Sequence, residues 1–345
     1  MNIKKTLFLT IGLFIVFTLF GQDKNVAVIG FYNVENLYDT EQDTTIFDTD
    51  FLPNGPYQWT MERYLEKLKN LAEVISAMEK SKGCPVVLGV AEVENEKVLL
   101  DLVSQEKLLP YKYKVAHHDS PDLRGVDVAF IYQSDRFQML SLQDFRLTIP
   151  ENPQFRTRDQ LLMTGVLDQT DTLYLIANHW PSKRGGEARS MPLRMAAAKL
   201  TRSIVDTILA VNPQAKVIIM GDFNDNPTAK SFTVGLGAKG KIADVGINDI
   251  FNPMWKMYKD GIGSYAYRDS WEMIDQIMVT YHLLHSKPNS YKFVSAHVFQ
   301  AGFMITKAGS FTGYPLRTYA GGSYQGGYSD HFPVYIILQR NKVNE

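Results

Sequence analysis

Val217-Ile218-Ile219-Met220-Gly221-Asp222-Phe223-Asn224-Asp225 is an apolar run that ends abruptly in acids and an amide. Four successive apolar residues, three of them β-branched, predict a strand covered on both faces. A carboxylate at the edge of such a strand must be paired, face a cleft, or lose much of its hydration free energy. A calcium loop of the EF-hand type starting at Asp222 would need Gly at its sixth position and Glu at its twelfth. Pro227 and Thr233 stand there instead, so that reading fails. Working outward, the pattern recurs. Val26–Tyr32 runs into Asn33-Val34-Glu35-Asn36, Val86–Val90 into Ala91-Glu92-Val93-Glu94-Asn95, and Leu173–Ala177 into Asn178-His179-Trp180. Asp275 lies within Ile274–Thr280, and Ser329-Asp330-His331 shortly precedes Val334–Leu338. One polar strand edge would read as a cap; six in one chain predict a shared cleft.

Val126–Tyr132 is a further strand of this kind. Helical periodicity is clearest in Met61–Lys80 and Leu193–Leu209. In the first, Tyr64, Leu65, Leu68, Leu71, Ala72 and Ile75 recur at three- and four-residue spacing, with Glu and Lys opposite. Strands alternating with helices predict an α/β layered fold. The stretches 40–60, 147–160, 232–268 and 305–328 are polar and rich in turn formers, and read as loops or insertions. No repeat or Pro/Gly linker divides the chain, so a single domain over residues 26–339 is expected.

Composition narrows the classes. Of 345 residues, 45% are hydrophobic and 21% charged, which excludes a disordered or fibrous chain. Lys+Arg 36 against Asp+Glu 37 leaves no overall basic field, so any nucleic-acid footprint must be local. A single cysteine, Cys84, excludes an intrachain disulfide and a cysteine-based zinc cluster. It adjoins an apolar run and reads as a buried thiol. Lys4 and Lys5 precede an uncharged apolar run, Thr6 to Phe20, with Gly21 after it. This is the layout of a signal peptide over residues 1–21, and the run is short for a membrane span of about 20 residues. An uncleaved anchor is the alternative. Export to the periplasm or medium is therefore expected, with no stable membrane partner after processing. Cleavage removes two lysines and no acid, leaving 34 cations against 37 acids, a net −3.

The chemical inventory is carboxylates, asparagines and histidines. There is no Gly-x-Ser-x-Gly elbow and no phosphate-binding loop of the Walker type. Hard oxygen donors such as Glu92, Asp330 and the Asn33 amide suit Mg²⁺, Mn²⁺ or Ca²⁺ better than zinc. Two histidines and an aspartate that can orient water suit hydrolysis of a phosphate ester.

Six short motifs occur in an order that resembles the endonuclease/exonuclease/phosphatase superfamily, across residues 26–339. They are Tyr32-Asn33-Val34-Glu35-Asn36, Ala91-Glu92-Val93-Glu94-Asn95, Asn178-His179-Trp180-Pro181-Ser182-Lys183, Gly221-Asp222-Phe223-Asn224-Asp225, Ile274-Asp275-Gln276-Ile277 and Ser329-Asp330-His331-Phe332-Pro333-Val334. The resemblance implies a deoxyribonuclease I-like four-layer α/β sandwich, two packed β-sheets flanked by helices, with a metal-assisted site at one sheet edge. It implies Glu92 as the principal ligand of a divalent cation, Mg²⁺, Mn²⁺ or Ca²⁺, with Asn33 and Asp330 beside it and Glu35 as an auxiliary candidate. Asp222 would orient or deprotonate the attacking water, or protonate the leaving group. Asn224 would hold a phosphate oxygen, and His331 would contact the scissile phosphate with Asp275 accepting its other ring N–H. His179 would be a second acid or phosphate donor, and Asp127 would orient one of the histidines. His117 and His118 read as surface loop residues.

Substrate is where the sequence is thin. Asn178, Lys183 and Arg184 are candidate substrate contacts, the last two in a loop that also carries Gly185 and Gly186; Arg156 and Arg158 extend the same surface. Tyr265, Tyr267, Tyr324 and Tyr328 can stack on bases or sugars, or simply line glycine-rich loops. The first expectation is an exported nuclease or phosphodiesterase acting on DNA or RNA. A phosphatase or phosphodiesterase for a small phosphorylated or lipid head-group substrate is the second. A binding module with a degenerate site is the third, and the presence of every matched polar residue weighs against it.

Overall fold

The computed structural model describes residues 25–78 and 83–340. The expected signal peptide, residues 1–21, lies outside the described residues. Among the described residues no helix is long and apolar enough to cross a membrane.

Two sheets carry the fold. The first has six strands in the order β14 (Lys292–Val298), β17 (Val334–Gln339), β1 (Val26–Leu37), β2 (Val87–Val93), β4 (Asp127–Gln133) and β3 (Tyr113–His117). The second has seven, in the order β5 (Phe137–Phe145), β6 (Gln160–Leu167), β7 (Asp171–His179), β8 (Lys216–Asp222), β13 (Asp275–Thr280), β10 (Ile250–Phe251) and β9 (Ala238–Lys239). Two small hairpins, β11 (Tyr265–Tyr267) with β12 (Ser270–Glu272) and β15 (Tyr319–Ala320) with β16 (Ser323–Tyr324), stand apart from them. Among the described residues the α-helices are α1 (Met61–Ala77), α2 (Glu96–Val103), α3 (Glu187–Val211), α4 (Met254–Lys259) and α5 (Tyr281–Leu284).

Side-chain alternation along the strands builds the layers. Ala27, Ile29 and Phe31 of β1 and Ile218 and Met220 of β8 share one buried cluster, the core between the sheets. The intervening Val28 and Tyr32 point the other way and pack with Leu68, Leu71 and Ile75 of α1 and Val98 and Leu102 of α2. Val217 and Ile219 likewise turn outward to Ala198, Val205 and Ile208 of α3. The result is helices, sheet, sheet, helix, the four-layer α/β sandwich expected.

α3 begins at Glu187, six residues before the apolar periodicity predicts, and runs through Pro192. Arg194 explains the extension. Fully buried, it donates to Glu187 at 2.6 Å and to Ser190 at 2.8 Å, and pairs with Asp225 at 2.9 Å. Removing one partner of a buried pair strands the other charge, at a cost of about 3–5 kcal/mol. Arg194→Met is therefore expected to lower the unfolding free energy by about that amount, read from a urea titration. A change inside about 0.5 kcal/mol would show that the cluster does not hold α3 to the Asp225 loop.

Strands β3, β5, β6, β9, β10 and β14 of the two sheets, and both small hairpins, are not among the strands the sequence predicts. β5 is an edge strand with mostly exposed or half-buried residues, so it lacks the continuous apolar run that marks the others.

Candidate active site

Strand direction gathers the six motifs. β1 and β2 are parallel, as are β7 and β8, so both pairs deliver their C-terminal ends on one side of the sandwich. β13 runs antiparallel to β8, which places its first residue, Asp275, opposite Asp222; His179 pairs with Asp222 from the other flank. β17 runs antiparallel to β1, so Ser329-Asp330-His331 arrives at the same edge, where Ser329 Oγ donates to the Asn33 carbonyl at 2.7 Å.

Local backbone irregularities aim the side chains. β1 and β2 lose regular pairing between Asn33 and Leu37, and β2 and β4 between Ala91 and Val93. Glu35, Asn36, Glu92 and Asn224 all adopt left-handed backbone, φ 53°, 53°, 64° and 52°. Such conformations cost about 1–3 kcal/mol each outside glycine and concentrate at functional sites. Gly221 meets a different demand. A Cβ there would lie 2.4 Å from the Asn178 carbonyl, so only glycine lets β7 and β8 approach just before Asp222.

Asp222 is the centre. One carboxylate oxygen accepts from Asn33 Nδ2 at 3.0 Å and the other from the Asn224 backbone N–H at 3.0 Å. The first lies 3.6 Å from His179 Nε2 and 3.9 Å from His331 Nε2. Burial and the nearby Asp275 charge push the Asp222 carboxyl up to about 7, against the pull of His331. The two histidines are held in opposite charge states. Burial, reinforced by Arg158 and Arg124, takes His179 well below the ordinary histidine value, so it is neutral. Burial acts on His331 in the same sense but is outweighed by Asp275 and Asp330, and by the 2.7 Å bond from Nδ1 to Asp275; it is an imidazolium. Ser264 Oγ, 2.6 Å away, donates to the same Asp275 oxygen.

Oxygen donors for a cation also meet here. Glu92 Oε2 accepts from the Asn36 N–H at 3.0 Å, while Oε1 makes no hydrogen bond among the described residues and lies 3.9 Å from His179. Asp330 is partly exposed, with one oxygen 3.7 Å from His331 Nε2 and the other 3.3 Å from Arg317. Asn33 keeps one carbonyl lone pair after accepting from the Glu35 N–H at 3.0 Å. Two accessible carboxylates and an amide oxygen fit a hard divalent cation. Asp222, Asp275 and His331 form a tighter cluster, in which one Asp275 oxygen is held by His331 and Ser264 and the other is buried without a hydrogen-bond partner among the described residues.

A cleft of about 700 Å³ joins these groups. Arg124, Arg156, Arg158, Lys183 and Arg184 line it, a local group of cations facing the acids Glu92, Asp122, Asp222, Glu272 and Asp330. Arg158 donates to Asp122 at 3.0 Å and the Trp180 carbonyl at 2.9 Å, and Lys183 pairs with Glu272 at 3.0 Å. Asp122, Arg124, Ser264 and Glu272 carry no strand-edge signal and are not among the residues the sequence singles out, whereas Tyr265, one of the four candidate stacking tyrosines, lines the cleft.

Four expectations need correction. Asn178 is no substrate contact: it is fully buried, donates to the Ile176 and Met220 carbonyls, and accepts from Trp180 and Thr201. Asp127 orients His117, at 3.0 Å, rather than His179 or His331. His117 accordingly sits on β3 with a buried ring instead of in a surface loop. Glu35 is turned from the cleft, accepting from the Thr318 N–H at 2.7 Å beside the buried Lys67 ammonium at 3.8 Å. Within the Glu92 motif, Glu94 accepts from the Asp39 N–H and Asn95 caps α2, leaving Glu92 alone to face the cleft.

No curated protein sequence matches the chain. Solved structures do. An endonuclease/exonuclease/phosphatase family protein from Bacteroides thetaiotaomicron is 16% identical over 92% of this chain and 98% of its own, with a TM-score of 0.54. The mannosyl-6-phosphatase of the same organism is 16% identical over 90% and 99%, TM-score 0.53. D. rerio TDP2 complexed with a single-strand DNA product is 14% identical over 91% and 99%, TM-score 0.54. At these identities the likeness establishes the fold. The model of the Endonuclease/Exonuclease/phosphatase family matches residues 28–340, from β1 through β17, and the chain therefore belongs to that family of phosphoester hydrolases.

Proposed function

We propose that this chain is an exported nuclease or phosphodiesterase that cleaves phosphodiesters with an activated water in the presence of Mg²⁺ or Mn²⁺. The observation that carries this reading is Asp222, poised near neutrality between a neutral His179 and a charged His331, beneath a cationic rim. Glu92 and Asp330, with the Asn33 amide oxygen, would hold the cation, which when bound lowers the pKa of water and offsets phosphoryl charge.

The chain's own groups do the rest. Asp222 accepts the proton of the attacking water or, protonated, gives one to the leaving oxygen, since its carboxyl near 7 serves either direction at neutral pH. Asn33 and the Asn224 N–H fix its orientation. His331 Nε2–H donates to a non-bridging phosphate oxygen as negative charge builds there, and Asp275 keeps the ring charged and aligned. Neutral His179 and Asn224 complete the phosphate cradle. Arg124, Arg156 and Arg184 draw in further phosphates, which favours a polyanionic chain over a lone monoester.

The deciding experiment measures cleavage of plasmid DNA and RNA beside a panel of sugar and inositol phosphates, with and without EDTA. Chelation is expected to abolish activity and Mg²⁺ or Mn²⁺ to restore it. Polymer cleavage should weaken steeply with salt, log K falling by about 0.7–0.9 per phosphate contact per log unit of salt. Turnover of monoesters alone, with flat salt dependence, would select the small-substrate reading instead. Mass spectrometry of the exported protein tests processing at residue 21.

A further inference from the structure

Beside the catalytic cleft lies a second one of about 570 Å³, and the two share Tyr265 and Tyr267 as common wall. Tyr265 packs against the His331 ring, centroids 4.9 Å apart. Tyr267 ends β11, and the two residues that turn the chain into β12, Arg268 and Asp269, are both left-handed, φ 48° and 60°. A tight two-residue hairpin requires this of its central positions, so Tyr267 is presented from a fixed frame. Phe311 also lines the second cleft. Tyr267 is 51% exposed and Phe311 54%. Two large rings left open to water in one concavity mark a surface that a ligand covers.

The charged groups of this cleft are largely engaged with neighbouring side chains. Asp269 accepts from the Tyr314 hydroxyl at 2.8 Å and donates its own N–H to the same oxygen at 2.7 Å. Arg317 donates to Asp330, and the Arg268 guanidinium lies 5.1 Å from the Tyr267 ring centroid. Few unengaged donors or acceptors converge to read sugar hydroxyls. An alkyl chain would strip water from Arg268 and Arg317 without replacing it. What stays open to water is ring surface, on Tyr267 and Phe311, which a flat heteroaromatic ring covers without hydrogen-bond readout.

We propose that this cleft is a base-stacking subsite, in which Tyr267 and Phe311 hold the nucleobase nearest the phosphate that contacts His331. The enzyme then prefers nucleotide phosphodiesters over base-free ones while discriminating weakly among bases. This rests on the phosphodiesterase reading above and narrows it.

Two arms test it. In the first, equilibrium binding of a 5′-mononucleotide is compared with ribose 5-phosphate on the full chain. The mononucleotide should bind roughly tenfold tighter, from stacking of one base. Tyr267→Ala and Phe311→Ala should each reduce that ratio severalfold, Tyr267→Phe should keep it, and ribose 5-phosphate binding should not change. Equal binding of the two ligands to the wild type, or tighter binding of a short-chain lipid phosphate, overturns the subsite whatever the activity. In the second, a dinucleotide is compared with its abasic counterpart in the presence of Mg²⁺. The alanine variants should raise KM for the dinucleotide about tenfold and leave kcat and the abasic KM unchanged. Tighter binding of the base-bearing ligand without cleavage of either diester upholds the subsite and overturns the phosphodiesterase reading. Cleavage with base-indifferent KM does the reverse.

Discussion

Asp222→Asn is expected to lower kcat on a phosphodiester by at least about a hundredfold, with KM changed far less. The substitution keeps the volume of a side chain that is 2% exposed and removes its charge and its proton acceptor. The oxygen facing Asn33 can be kept as an amide oxygen. The other position then presents an NH₂ to the Asn224 N–H, so one buried donor loses its acceptor. That mismatch costs about 1–3 kcal/mol of stability, which a thermal melt separates from the catalytic loss. The pH profile provides a signature that misfolding would not. If Asp222 must be anionic to accept a proton, kcat/KM of the wild type falls as pH drops below about 7, where the raised carboxyl takes up its proton. The asparagine variant has no such group, and its residual rate should lack that limb. A variant retaining more than about a tenth of wild-type kcat would remove Asp222 from the chemistry.

His331→Ala is the second large effect, again at least about two orders of magnitude in kcat. The imidazolium is the donor best placed to meet charge developing on the phosphate, and it is charged at neutral pH because Asp275 and Asp330 outweigh its burial. Deleting the ring also leaves the fully buried Asp275 with Ser264 as its remaining side-chain donor. Loss of stability of about 3–5 kcal/mol is expected on that account. Asp275→Asn isolates the positioning role. It keeps a partner for His331 Nδ1 but withdraws the charge that holds the ring protonated. The rate should drop by an intermediate amount, roughly 10- to 100-fold, and the alkaline limb should shift to lower pH because the histidine pKa falls. An unshifted alkaline limb in Asp275→Asn would refute the assignment of His331 as the charged donor.

Particular residues mark how far the sequence could be read. Asp222, Asp275 and His331 were legible because each breaks an apolar strand or adjoins one, and burying such groups singly is too costly to be accidental. Asn178 breaks its strand in the same way yet serves the interior, bonded to the Ile176 and Met220 carbonyls and to Trp180. The local signal for a buried structural amide and for a substrate contact is identical, since both follow an apolar run. Asp127 was legible as an orienting acid but not as the partner of His117, because strand order rather than sequence distance decides which histidine lies beside it. Arg124 and Glu272 lie in a loop and a short hairpin with no apolar run to flag them; only folding brings them to the cleft.

Taken alone, the sequence determined the layered α/β character, the strands that build the core and the six polar edges. These follow from side-chain alternation and the cost of burying charge, both local properties of the chain. The tertiary structure decided what local chemistry leaves open. Parallel and antiparallel pairing sets which strand ends meet, and so which carboxylate faces which histidine. That juxtaposition, with the cations brought in from distant loops, sets the opposite charge states of His179 and His331 and the poise of Asp222, because electrostatic coupling depends on distance through space and burial, not on separation along the chain.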